Sequence, residues 1–277
     1  MASGFVAPPY EAGDILGGLY GEGIIGLACA FAPELADRLH AEIMTIFAEV
    51  RDIPGGALPR GPARWYVEIQ PERLSDFAAI ASHPWFVAVC EAVLGRDYRI
   101  IEVGFDIPFP GAADQPWHRD FAVPEATTRD RRLNSLAFNL TTIDTRPEHG
   151  PFEIAPGTQW DEFAGCAKGM FPPEHLWPRY EALAVRKLPR RGDISARSAL
   201  TVHRGTANRS NEPRPVLVIG VDAPDATNGA HHDLQATATW LAGLPAQVGD
   251  HLPARIVERL EPVVQAHVIE GLLTPAY

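Results

Sequence analysis

Leu35, Leu39, Ile43 and Phe47 recur at every fourth position between Pro33 and Val50. That spacing gathers them on one face of a helix, and a proline suits the first helical position. Ser75 opens a second, shorter helical stretch that runs towards His83, where Pro84 interrupts it. Helical periodicity resumes over Trp85–Leu94, and Gly95 stands where a C-terminal cap glycine belongs. Ahead of these, residues 1–14 read as a loose arm, and the apolar, Gly-rich stretch Leu16–Ala32 as one early strand. From Tyr98 the texture changes to alternating, β-branched and aromatic segments: Tyr98–Phe109, Arg64–Gln70 upstream of it, then Asn134–Thr142, Phe152–Ala155, Ala184–Leu188, Asp193–Arg197, Leu200–His203 and Pro215–Val221. Clusters of Pro, Gly and Asn separate them, and few helical patterns intervene. The block therefore predicts an antiparallel sandwich or barrel rather than βαβ units. The tail, 254–273, reads as a helix with Ile256, Leu260, Val263, Val264 and Ile269 inward. The expected organisation is a single 277-residue domain, mainly β with flanking helices: a helical part at about 15–97, a β core at about 98–222 and a C-terminal helix.

Composition narrows the function. The formal charge is −11, which argues against nucleic acid as a partner, because such binders carry a basic stripe. No apolar run is long enough to span a bilayer, and the N-terminus has no signal-peptide pattern, so a cytoplasmic protein is expected. The three cysteines, Cys29, Cys90 and Cys166, are too scattered for a disulfide scaffold or a CxxC zinc site. Twenty-four glycines and 26 prolines fit a loop-rich β protein.

The chemistry gathers in two places. In Trp117-His118-Arg119-Asp120, an extended chain would send His118 and Asp120 to the same side. His203 follows 85 residues after His118, at the end of a predicted strand and before the turn 205–213. Two imidazoles and one carboxylate on one face of a metal leave the opposite positions open, the arrangement of non-haem Fe(II) oxygenases. Arg214 lies 11 residues beyond His203 and opens the strand Arg214-Pro-Val-Leu-Val-Ile-Gly. A guanidinium there is placed to grip a carboxylate at two points.

Together, Trp117-His118-Arg119-Asp120, the stretch Gly150-Pro-Phe-Glu-Ile-Ala-Pro-Gly-Thr158, Gly192-Asp193 and the run His203 to Arg214 resemble the phytanoyl-CoA dioxygenase family of Fe(II)/2-oxoglutarate oxygenases. The motifs cover roughly residues 100–222. The resemblance implies a double-stranded β-helix, the cupin-like jelly roll, with His118, Asp120 and His203 as iron ligands. Arg214 would bind the C5 carboxylate of 2-oxoglutarate, and O₂ would be the other co-substrate. The implied reaction is hydroxylation of a small organic molecule, such as a secondary metabolite, coupled to decarboxylation of 2-oxoglutarate to succinate. The same site serves desaturation, epimerisation or ring closure, and the motifs do not separate these. Two readings come from other classes: a cupin-type metal hydrolase or isomerase, which has no need of an arginine anchor, and a binding protein that keeps the fold without turnover, against which the intact triad argues. The chain departs from the family pattern at His149 and Gln159, where Asn and His are usual. It departs again at Gly205, where Ser is frequent, and at Arg119, where Gln is common. Asp120 argues against halogenation, whose enzymes lack that carboxylate.

Other candidates have plainer readings. His149 reads as a turn residue, the pair His231-His232 as surface loop, and Arg209 as a turn-bracing rival to Arg214. The charges at Asp130, Arg131 and Arg132 read as a solvated cluster. Arg197 and Asn139 are secondary cavity candidates by strand parity, whereas Trp117 and Phe121 are expected to face away from the ligands. The stretches Phe121–Arg132 and Gly165–Tyr180 are candidate substrate loops, the latter a candidate lid. Oligomeric state is not legible.

Overall fold

The computed structural model describes residues 10–121, 123–163, 169–226 and 233–264. Helix α1 (Ala12–Gly21) leads into β1 (Ile24–Leu27), then α2 (Pro33–Val50), β2 (Leu58–Pro59) and β3 (Arg64–Glu68). Two further helices, α3 (Phe77–Ala81) and α4 (Pro84–Leu94), precede β4 (Arg99–Pro108). A short helix α5 (Glu125–Asp130) comes before β5 (Ser135–Thr141) and β6 (Phe152–Ile154); α6 (Trp177–Leu183) comes before β7 (Val185–Arg186), β8 (Ile194–Ser198), β9 (His203–Gly205) and β10 (Val216–Asp222). The last two strands are β11 (Gln235–Thr237) and β12 (Arg255–Val257).

Seven strands form an antiparallel major sheet in the order β1-β8-β5-β10-β4-β3-β2, and β7-β6-β9 form a minor sheet. This is the cupin-like jelly roll. Successive side chains along a strand face opposite ways, and here the two faces have different chemistry. Leu136, Phe138 and Leu140 of β5, Leu217, Ile219 and Val221 of β10, and Val103, Phe105 and Ile107 of β4 are all buried in the main core. Against them lie the buried Leu35, Leu39, Ile43, Ile46 and Phe47 of α2 and Phe86 and Val89 of α4. Each such aliphatic side chain contributes about 1.5–3 kcal/mol on burial, so the helices are held to the sheet by this face. The other face carries Ser135, Ala137, Asn139 and Thr141, paired in register with Asp222, Gly220, Val218 and Val216, and it lines a cavity.

Three expectations are corrected. Residues 12–21 are helix, because Ile15 and Leu19, one turn apart, are both buried and the tertiary packing outweighs the poor helix propensity of the glycines. The predicted helix 254–273 is absent over its described part: Arg255–Val257 is a strand pairing in parallel with β11, and Ile256 and Val264 are exposed. Residues 265–273 of that segment, including Ile269, lie outside the described residues. The strand holding His203 begins at that histidine rather than ending there. Among the described residues no helix is long and apolar enough to cross a membrane.

Candidate metal and co-substrate site

The segment after β4 belongs to no regular strand and is tied to residues 199–208 by backbone hydrogen bonds. Among these, His118 and His203 form an isolated antiparallel bridge, each backbone N–H donating to the other's carbonyl, at 3.0 and 2.9 Å. The Asp120 N–H donates to the carbonyl of Ala199 at 3.0 Å, so the turn before β9 also holds the carboxylate. Residue 119 points elsewhere: the buried Arg119 guanidinium donates to the carbonyls of Thr158 and Asp161 and lies over the Phe163 ring. The alternation anticipated for His118 and Asp120 is thus realised without a regular strand.

The ligand atoms of His118, Asp120 and His203 lie within 4.8 Å of one another. His118 Nδ1 is 2.8 Å from the carbonyl of Pro116, and His203 Nδ1 is 2.8 Å from that of Thr201. A carbonyl only accepts, so both Nδ1 atoms carry the proton and both Nε2 lone pairs are free for a metal. Burial, followed by the neighbouring His203, pushes His118 well below the ordinary imidazole value. Burial and then Arg197 lower His203 as well, so both rings are neutral at pH 7. Burial alone would raise the Asp120 carboxyl, but Arg197 and His203 beside it hold it far below the usual carboxylate range. Two neutral imidazoles and a carboxylate on one side of a cavity suit a divalent iron ion.

Arg214 is buried at the cavity wall; its Nε donates to the Gly150 carbonyl at 3.1 Å and its Nη2 is 4.0 Å from Asp106. Burial brings its guanidinium down to about 10, with Asp106 opposing and Arg64 adding to the shift, so it remains a cation at pH 7. Arg209, its rival, is exposed in the turn.

Arg64 was not anticipated. It reaches from β3 beneath the site, donating from Nη1 to Gln115 Oε1 at 2.5 Å and from Nη2 to the Thr206 carbonyl at 3.1 Å. A Cβ on Gly205 would lie 1.7 Å from Arg64 Nη1. The glycine at a position where serine is frequent therefore makes room for a guanidinium. That glycine was the one signal in the sequence that something large passes there.

The cavity has a volume of about 900 Å³, the upper part of the range for small-molecule sites. Its lining includes the triad, Arg214, Arg64 and Asp106 together with the apolar Phe152, Phe171, Met170 and Leu188. Phe171 packs on the His118 ring and Phe152 beside that of His203. Tyr66 and Glu102, hydrogen-bonded to each other, also line it, and Gly220 leaves the space that Glu102 covers.

Asn139 and Arg197 line the cavity as their parity suggested. Phe121 lines it too, contrary to expectation, because the chain turns after Asp120 instead of continuing as a strand. Trp117 is buried in a separate cluster with Tyr180 and Val202, under the Arg204 guanidinium. His149 is a buried turn residue whose Nδ1 accepts from the Arg146 N–H and whose Nε2 donates to Glu212 at 2.8 Å. Gln159, where the family usually has His, donates to carbonyls at the end of α1. Of the predicted surface charges, Arg132 pairs with Asp225, Asp130 with Arg129, and Arg131 lies over the Trp160 ring; all three are exposed. Of the candidate loops, residues 122 and 164–168, with Cys166, lie outside the described residues, as do His231 and His232.

Solved structures that share the fold include SnoK, SnoN and EctD. SnoK, a non-haem α-ketoglutarate-dependent carbocyclase from nogalamycin biosynthesis, superposes with a TM-score of 0.62 at 18% identity, covering 78% of this chain and 85% of its own. SnoN, an α-ketoglutarate-dependent epimerase from the same biosynthesis, gives 0.62 at 20% identity, over 82% and 91%. EctD from S. alaskensis, in its apo form, gives 0.61 at 17% identity, over 78% of each chain. Residues 20–216 match the phytanoyl-CoA dioxygenase (PhyH) family, and the donor set is the one its chemistry needs. The chain belongs to the phytanoyl-CoA dioxygenase family and is a non-haem dioxygenase that depends on Fe(II), 2-oxoglutarate and O₂.

Proposed function

We propose that His118, Asp120 and His203 hold the iron, that Arg214 binds the far carboxylate of 2-oxoglutarate, and that the enzyme hydroxylates a small organic molecule. The observation that carries this reading is the convergence of two Nε2 atoms, each freed by an Nδ1–H bond to a carbonyl, with one carboxylate inside a large cavity. When bound, the iron supplies O₂ activation coupled to oxidation of 2-oxoglutarate to succinate and CO₂. The protein does the rest. The peptide bridge between residues 118 and 203 sets the spacing of the imidazoles. Arg214 offers its terminal nitrogens to a dicarboxylate whose other end lies at the metal, which orients that co-substrate. Phe152 and Phe171 shield the histidines and keep water from their side of the site. The remaining wall, with Ala137, Asn139 and Gly220 small or polar, leaves room for substrate.

Solved structures of this fold include a carbocyclase and an epimerase, so substrate placement decides between hydroxylation and these outcomes. The test is anaerobic titration with Fe(II) and 2-oxoglutarate. A weak visible charge-transfer band should form in the wild type and be absent in His118→Ala. Arg214→Ala should raise the 2-oxoglutarate requirement far more than the iron requirement. No band in the wild type, with no succinate formed, would overturn the assignment, and the same phenotype from Arg209→Ala in place of Arg214→Ala would move the anchor.

A further inference from the structure

Arg197 is the cation that faces Asp120. It comes from β8 of the major sheet, 77 residues along the chain, and is 5% exposed. Its Nη1 donates to Asp120 Oδ2 in a close contact, and its Nη2 donates to Oδ1 at 3.2 Å. The Phe152 ring lies 5.6 Å from the guanidinium carbon. Its Nε is buried with no partner among the described residues. Asp120 Oδ1 is also the oxygen nearest His203, 3.4 Å from Nε2. The two carboxylate oxygens are therefore sorted. Oδ2 lies in the close contact with Arg197, whereas Oδ1, held by Arg197 only at 3.2 Å, is the oxygen beside His203 Nε2.

This sorting has a consequence for coordination. A carboxylate left to itself can chelate a metal with both oxygens. Two imidazoles and a chelating carboxylate would fill four of six positions. A two-oxygen co-substrate would then fill the remaining two and leave none for O₂. With one carboxylate oxygen committed elsewhere, three positions stay open. We propose that Arg197 is a positioning residue that keeps Asp120 a one-oxygen ligand and so preserves the position at which O₂ binds. The proposal rests on the assignment of Asp120 as an iron ligand. It gives Arg197 a task that neither metal capture nor co-substrate capture requires.

The test uses nitric oxide as the O₂ surrogate, on the full chain loaded anaerobically with Fe(II) and 2-oxoglutarate. In the wild type, the charge-transfer band forms, and nitric oxide then gives the high-spin (S = 3/2) iron–nitrosyl resonance. Arg197→Met should keep the band, with 2-oxoglutarate affinity within about threefold, and require at least tenfold more nitric oxide for the resonance. Arg197→Lys, which still donates to one oxygen, should restore nitric oxide binding to near the wild-type level. A residue that merely supports the fold would lower the unfolding temperature without separating the two signals. Wild-type nitric oxide affinity in Arg197→Met overturns the proposal, and so does loss of the charge-transfer band together with the nitrosyl signal in a folded variant. If the methionine variant does not fold, Arg197→Lys decides: a tenfold or greater loss of nitric oxide affinity overturns it, and retention supports it. A wild type with no band at all overturns the iron assignment instead, so the two failures are distinct.

Discussion

Adding one methyl group at Gly205 should destabilise this protein through a residue 141 positions away in sequence, Arg64. A Cβ at 205 would sit 1.7 Å from Arg64 Nη1 and 2.5 Å from Cζ and Nη2, so the guanidinium must leave. It is 1% exposed, and swinging its end into the cavity it lines means abandoning Gln115 Oε1 and the Thr206 carbonyl. Hydrogen bonds from a charged donor contribute about 1.5–3 kcal/mol each, and stripping a buried charge of its partner costs about 3–5 kcal/mol. Either route predicts a loss of about 3–5 kcal/mol for Gly205→Ala. For a chain of this size that is a fall in Tm of roughly 6 °C or more. The assay is urea unfolding of the wild type, Gly205→Ala, Arg64→Met and the double variant at one pH. Arg64→Met removes the guanidinium and opens the space, so alanine at 205 should then cost less than about 1 kcal/mol. The expected coupling is about 3 kcal/mol, well above the roughly 0.5 kcal/mol scatter of independent sites. Additive single costs within that scatter would refute the steric argument, and so would a Gly205→Ala variant as stable as the wild type.

Two further outcomes follow from the site and the core. Because burial lowers both His118 and His203, falling pH protonates them only below the ordinary imidazole value, and His118 only well below it. Two unperturbed histidines would each be half protonated at pH ~6.5 and cost about fourfold in metal affinity there; Co(II) titrations should instead show less than a twofold loss between pH ~7.5 and ~6.5, and a fourfold drop would contradict the neutral-ring assignment. Ile43→Ala, in the buried face of α2, should lose about 2–5 kcal/mol in denaturant unfolding while leaving Co(II) affinity unchanged, since that face is turned away from the cavity; a matching loss of metal affinity would show that helix and site are coupled.

The sequence by itself determined what depends on local periodicity and on order along the chain. The fourfold apolar spacing of 33–50 marks α2 at its observed bounds, because a helix face is written in residues three and four apart. Alternation in 134–142 separates the core face of β5 from the cavity face in the same way, and Asn139 lies on the side so indicated. The motif residues His118, Asp120, His203 and Arg214 stand out in the sequence through their types and order read together with the family resemblance. Only the tertiary structure decided which other side chains meet them. Arg64 is placed by pairing of β3 with β4, and Arg197 by the register of β8 against β5, where it lies opposite Ala137. Register is a property of two strands together, so no periodicity within either strand discloses the neighbour. The reading that placed Arg197 in the cavity by parity with His203 reached the right side by a broken path, since β8 ends at Ser198 and a turn intervenes before β9. Helix α1 was hidden for a related reason: its glycines weaken the local signal, and burial of Ile15 and Leu19 against the rest of the molecule stabilises it. Charge shows the same division. A net −11 describes the surface and argues against polyanion partners, whereas the cavity's arginines gather there through long-range strand pairing, which composition does not encode.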